Sequence, residues 1–90
     1  SKLYEDMKNF DKALWAIKKA MAYRRKDDRL QKEIYTKKFA SLLYQKGIYL
    51  KESGDDTNAR EIFYQIISNP HTKDTIYFEK ANYWVKRLEK

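Results

Sequence analysis

The sequence predicts an all-α fold of antiparallel helices joined by short loops. Three observations carry that prediction. Apolar residues recur at spacings of three and four along most of the chain, the rhythm of one helix face. Two Gly and one Pro in 90 residues leave few places to turn, which favours long helices. No stretch alternates apolar and polar residues between hairpin-type turns, as a half-buried strand would.

The elements follow in order. Residues 1–7 read as the end of a partial helix, with Leu3, Tyr4 and Met7 apolar. Asn9 has the chemistry of an N-cap, and a helix is expected over 10–26. Its stripe is Phe10, Ala13, Leu14, Ile17, Ala20 and Met21. Asp28 and Gln31 have capping-box spacing, so a third helix is expected over 29–53. Tyr35, Phe39, Leu42, Leu43, Tyr49 and Leu50 mark its stripe, extended by Leu30 and Ile34. Gly47 inside it costs about 1 kcal/mol relative to Ala; close approach of a neighbouring helix or helix flexibility would each account for it. Gly54 suits the left-handed residue that ends a helix. Asn58 and Glu61 again have capping-box spacing, opening a helix over 57–68 with Ala59, Ile62, Phe63, Ile66 and Ile67 inward. Asn69-Pro70 stops it, because Pro cannot continue a helix and disfavours helical geometry at the preceding residue. The last helix is expected over 73–89, with Ile76, Tyr77, Ala81, Trp84, Val85 and Leu88 apolar.

Composition narrows the function classes. One domain is expected at this length, and a chain so short buries only about 60% of its unfolded surface. There is no Cys and a single His, His71, so disulfides, thiolate sites and a His-based metal centre are not expected. Eight Tyr, four Phe and two Trp supply the buried area instead. No apolar run approaches the roughly 20 residues of a membrane span. The net charge of +7 is uneven: residues 18–38 carry +6, while 39–79 carry −2. Such a basic block attracts acidic proteins, nucleic acid or anionic lipid, or simply solvates exposed helix faces.

A repeat underlies the pattern. Aligning Ala13 with Ala59 sets Ile17 against Phe63, Ala20 against Ile66 and Met21 against Ile67. Repeats of helical pairs stack and leave an extended binding surface. With Gly47-Ile48-Tyr49-Leu50-Lys51-Glu52-Ser53-Gly54-Asp55 as helix A and its turn, and Ala59, Phe63 and Pro70 in helix B, the chain resembles the tetratricopeptide (TPR) family. The resemblance implies a right-handed superhelical stack of antiparallel helix hairpins, about two units plus a C-terminal capping helix bearing Ala81 and Trp84. The packing positions it implies are Phe10, Ala13, Ile17, Ala20, Gly47, Leu50, Ala59, Phe63, Ile66, Pro70, Ala81 and Trp84. Departures are the 46-residue offset where 34 is usual, Ile66 at a small-residue position, a Pro one place early, and a first unit without Gly or Pro. The segment from Ile67 to Trp84 is also similar to short TPR lipoproteins of bacterial outer-membrane assembly, the BamD-like kind.

The function so implied is a non-catalytic scaffold or adaptor that holds a partner protein or peptide, an acidic one among the candidates. Trp15, Tyr23, Tyr44, Tyr64 and Tyr83 are the expected exposed aromatics; Arg24, Arg25, Lys26 and Arg29 are the expected basic contacts. Each aromatic has an alternative reading as packing within the stack. The TPR clamp for a C-terminal carboxylate is rejected, because its positions hold Gln45, Ile48, Thr75 and Glu79. No phosphate loop and no nucleophile–base set can be assembled, so neither catalysis nor a cofactor is expected. A nucleic-acid-binding helical domain using residues 18–38 is the competing class. Residue usage fits a bacterial source; cell envelope, periplasm and cytoplasm all stay open, and peripheral membrane association would need a lipid anchor upstream. The chain begins within a helical pattern, as a fragment of a longer array would.

Overall fold

The computed structural model describes residues 2–23, 29–73 and 75–89, with side chains over 8–22, 32–73 and 75–89. Four helices run in order: α1 (Lys2–Tyr23), α2 (Arg29–Glu52), α3 (Asp56–Ser68) and α4 (Ile76–Leu88). The described residues contain no strand. Helix α2 touches the other three, α3 lies against α2 and α4, and α1 packs on α2 alone among the described residues. The molecule measures 42 × 30 × 14 Å. Helix axes pack about 8–10 Å apart, so 14 Å admits two helix layers and no third.

Helix α1 is continuous, which corrects the expected break between a partial helix over 1–7 and another over 10–26. Asn9 therefore lies inside the helix and caps nothing. The reason is visible in the pattern: Leu3, Met7, Phe10, Leu14, Ile17 and Met21 keep an unbroken four-three rhythm. Neither Gly nor Pro interrupts it. Leu14 and Ile17 are buried against α2, Ala13 and Ala20 half-buried. Phe10 meets Tyr49 of α2 edge-on at 5.9 Å, and Lys46 Nζ donates to Asp11 at 2.6 Å.

Helix α2 buries Phe39, Ala40, Leu43, Gly47 and Leu50. Three neighbours cover different sides of it, so its apolar residues spread around the helix rather than along one stripe. Ile34 does not extend that stripe: it is exposed, because α1, α3 and α4 all leave its side of the helix uncovered. Gly47 is a close-approach residue. A Cβ there would stand 2.5 Å from Phe63 Cε1, so the missing side chain is what lets α3 seat its ring. At the end of α2, Gly54 takes φ +88°. Its N–H donates to Lys51 O at 3.0 Å, and the Asp55 N–H donates to Leu50 O at 2.9 Å. These two bonds form a Schellman stop that satisfies carbonyls otherwise left open.

The N-cap of α3 is Asp55, not the Asn58–Glu61 box. Its carboxylate accepts from the Asn58 N–H at 3.3 Å and from Asn58 Nδ2 at 2.7 Å. The ionised Asp is a charged acceptor at the positive helix end and displaces the more distant pairing. Ala59, Phe63 and Ile66 are fully buried. Pro70 is exposed, so it acts as a helix stop and not as a packing residue. The packing role in this turn falls to Thr72, wholly buried, whose hydroxyl reaches Ile66 O at 2.5 Å and Asn69 O at 3.0 Å. Helix α4 consequently starts at Ile76 rather than 73, after a turn in which Thr75 N–H donates to Thr72 O. Ile76, expected inward, is 65% exposed at the first position of α4. Ala81 and Val85 are buried.

Candidate interaction surface

Phe63 is the pivot around which the aromatic residues organise. Gly47 admits its ring to the α2 backbone, and the spacing along α4 then brings Tyr77, Ala81 and Trp84 to the same side. The Trp84 ring stacks on Phe63 at 6.2 Å and 18°. Tyr44 lies at 5.6 Å from Phe63 and 5.7 Å from Tyr77. Trp84 Nε1 donates to Tyr44 Oη at 3.0 Å, so two of the polar tips of this cluster meet each other. Cations cover its outer side. Lys51 Nζ sits 4.4 Å from the Trp84 ring, and Lys80 Nζ lies 5.8 and 5.9 Å from Tyr44 and Tyr77. Each such contact contributes about 0.5–1 kcal/mol where solvent reaches it.

Tyr83 stands at the edge of this cluster. It is 55% exposed, packs edge-on to Trp84 at 5.2 Å and carries the Arg87 guanidinium at 5.9 Å. With Tyr44, Glu79, Lys80 and Trp84 it lines a shallow cleft of 380 Å³. Tyr64, 58% exposed on α3, borders a second depression of 400 Å³ with Arg60, Gln65 and Val85. Trp15, 60% exposed, lies on α1 with Lys19 Nζ over its ring at 4.4 Å.

The expected contact residues therefore divide three ways. Trp15, Tyr64 and Tyr83 are exposed as expected, but on three different helices and without a shared cleft. Tyr44 is half-buried rather than exposed: α4 crosses α2 there, its hydroxyl accepts from Trp84, and it lines the cleft beside Tyr83. Arg24, Arg25 and Lys26 lie outside the described residues, as do the side chains of Tyr23 and Arg29. Sequence reasoning missed Lys51, Lys80 and Arg87 as partners of aromatic rings. The spacings Tyr77–Lys80 and Tyr83–Arg87, three and four residues on one helix, were the available signal.

The basic block survives in part. Lys18, Lys19, Lys37 and Lys38 are exposed on the adjoining ends of α1 and α2. Lys18 Nζ also lies 5.8 Å from the Phe39 ring, which holds its stem along the α1–α2 seam. No group of three or more His, Cys, Asp or Glu among the described residues could hold a metal ion. No described helix is long and apolar enough to cross a membrane. No family model, no curated protein and no solved structure matches the chain.

Proposed function

We propose that this chain is a non-catalytic protein-interaction module of TPR-like helical repeats, holding a partner protein or peptide on its outer surface. The observation that carries the reading is the exposure of Trp15, Tyr64 and Tyr83 on a body only two helices deep. Large aromatics are the usual energetic anchors of protein interfaces, and each of these sits beside a cation or a cleft that can orient a partner. The repeat reading is supported by three features: α1 and α3 both lie against α2, α4 follows α3 while still touching α2, and Gly47 admits the helix B aromatic Phe63. A bacterial envelope setting rests on the resemblance of Ile67–Trp84 to BamD-like lipoproteins.

The test uses the tagged chain as bait in cross-linked lysate, beside Trp15→Ser, Tyr64→Ser and Tyr83→Ser variants and a nuclease-treated arm. Protein partners that survive nuclease and are lost from one of the three variants support the module. Loss of all captured material with nuclease overturns it in favour of the second reading, a nucleic-acid-binding helical domain. That reading draws on the lysines exposed at the joined ends of α1 and α2. Phosphate contacts release counterions, so it requires log K to fall with log salt by about 0.7–0.9 per phosphate neutralised.

A further inference from the structure

Helix α4 carries two seams, and only one of them is covered. Ala81 and Val85 are buried, with Tyr77, Trp84 and Leu88 packed beside them against the core. On another side of the helix, Ile76, Lys80, Tyr83 and Arg87 follow one another at spacings of four, three and four. That rhythm is the one by which a helix packs along another helix. All four residues are exposed, Ile76 by 65% and Tyr83 by 55%. Single exposed apolar residues are ordinary on a protein surface. Trp15, Ile34 and Tyr64 are of that kind, each on a helix of its own. Ile76 and Tyr83 are the one pair of exposed large hydrophobics among the described residues that shares a helix and a face.

We propose that this face of α4 docks an acidic amphipathic helix of a partner protein, with its apolar side chains on Ile76 and Tyr83 and its carboxylates on Lys80 and Arg87. The proposal rests on the chain being a protein-interaction module and names the chemistry of the partner.

Spacing selects a helix. Ile76 and Tyr83 lie seven residues apart, about 10.5 Å along the axis. A partner helix repeats its own side chains at that interval. An extended strand places same-side residues about 6.6 and 13 Å apart and would meet one anchor only. The cleft of 380 Å³ beside Tyr44 and Trp84 shares Lys80 and Tyr83 with the seam, so a side chain of the partner can enter next to Tyr83.

Charge selects an acidic partner. Helix α4 carries Lys80, Lys86 and Arg87 against Glu79 alone. Neither Lys80 nor Arg87 is in an ion pair among the described residues. Their charges rest on rings instead: Lys80 Nζ lies 5.8 and 5.9 Å from Tyr44 and Tyr77, and the Arg87 guanidinium 5.9 Å from Tyr83. Both cations are thus held beside the apolar anchors with no carboxylate to receive their donors. A partner carboxylate supplies the charge-assisted hydrogen bonds they lack. A cationic ligand would meet rings already occupied, and a second copy of this face would set one basic surface against another.

The probe is a synthetic amphipathic helix with Leu placed to face Ile76 and Tyr83 and Glu placed to face Lys80 and Arg87. Companion peptides carry Lys for Glu, or Ser for Leu. Amide resonances of the whole chain are followed during titration. Saturable shifts along the Ile76–Arg87 face are expected with the Glu peptide, and much weaker binding with either companion. Tyr83→Ser is expected to weaken the Glu peptide about tenfold or more, while Tyr64→Ser leaves it unchanged. The double variant Lys80→Glu with Arg87→Glu should lose about tenfold toward the Glu peptide and gain the Lys companion, an exchange that misfolding cannot produce. Equal binding of the Glu and Lys peptides, no saturable binding, or shifts centred on α1 or α3 would overturn the proposal. So would tighter binding of a single-stranded oligonucleotide on this face, or self-association that Tyr83→Ser abolishes. A protein partner captured equally well by the Lys80→Glu, Arg87→Glu chain but lost with Trp15→Ser or Tyr64→Ser would refute this site and leave the module standing.

Discussion

Replacing Gly47 by Ala separates helix propensity from tertiary fit. In an isolated helix the change stabilises by about 1 kcal/mol. In this fold the new methyl carbon would lie 2.5, 2.8 and 2.9 Å from Phe63 Cε1, Cζ and Cδ1. All three are closer than carbon atoms approach without displacement. The ring cannot swing aside, because Phe63 is fully buried between Tyr44 and Trp84. Overpacking of this kind costs about 1–3 kcal/mol and at this severity belongs at the upper end. The expected net loss is roughly 1–2 kcal/mol, and each kcal/mol lowers Tm by about 4–8 °C in a chain of this size. Thermal and urea unfolding, followed by circular dichroism and Trp fluorescence, measure it. The decisive arm is a double-mutant cycle with Phe63→Leu: the penalty of Gly47→Ala should shrink toward zero or become a gain once the ring is gone. Gly54→Ala is the control. Nothing lies within 4 Å of that position, so its cost comes from φ +88° alone and Phe63→Leu should not relieve it. A Gly47→Ala chain more stable than the parent would refute the close-approach argument.

Two further expectations follow from the turn and from the α1–α2 seam. Thr72→Val removes a buried donor from Ile66 O and is expected to lose about 1–3 kcal/mol, read from the urea midpoint at constant m; a neutral result would mean that the carbonyl finds another donor. Asp11→Asn breaks the bond to Lys46, but Asp11 is 60% exposed, so the loss should stay under about 1 kcal/mol and disappear in 1 M NaCl, where a salt-independent loss would contradict a screened ion pair.

The helices and most of their ends were legible in the residues themselves. Periodicity over four segments, Gly54 as the left-handed stop and Asn69-Pro70 as the breaker act within one or two turns of chain. Their physics needs no distant partner. Even the purpose of Gly47 could be narrowed to two reasons from its place in an otherwise regular stripe. The continuity of α1 was also encoded, in the unbroken apolar rhythm through Asn9, but the cap chemistry of a single residue outweighed it in the reading.

What the sequence by itself determined is therefore the set of helices and the apolar reserve available to join them. The tertiary structure decided which side of each helix is covered. Tyr44 and Tyr64 are both tyrosines at helix positions flanking a stripe, yet one is half-covered by α4 and the other faces water. Ile34 and Ile76 follow the helical rhythm and are exposed all the same, while Thr36 and Thr72 are polar and buried. Coverage depends on where α4 crosses α2, and that crossing is set by the space Gly47 leaves for Phe63, sixteen residues and a turn away in the chain. Local propensity is fixed by neighbours three and four residues apart; burial is fixed by neighbours that only packing brings together.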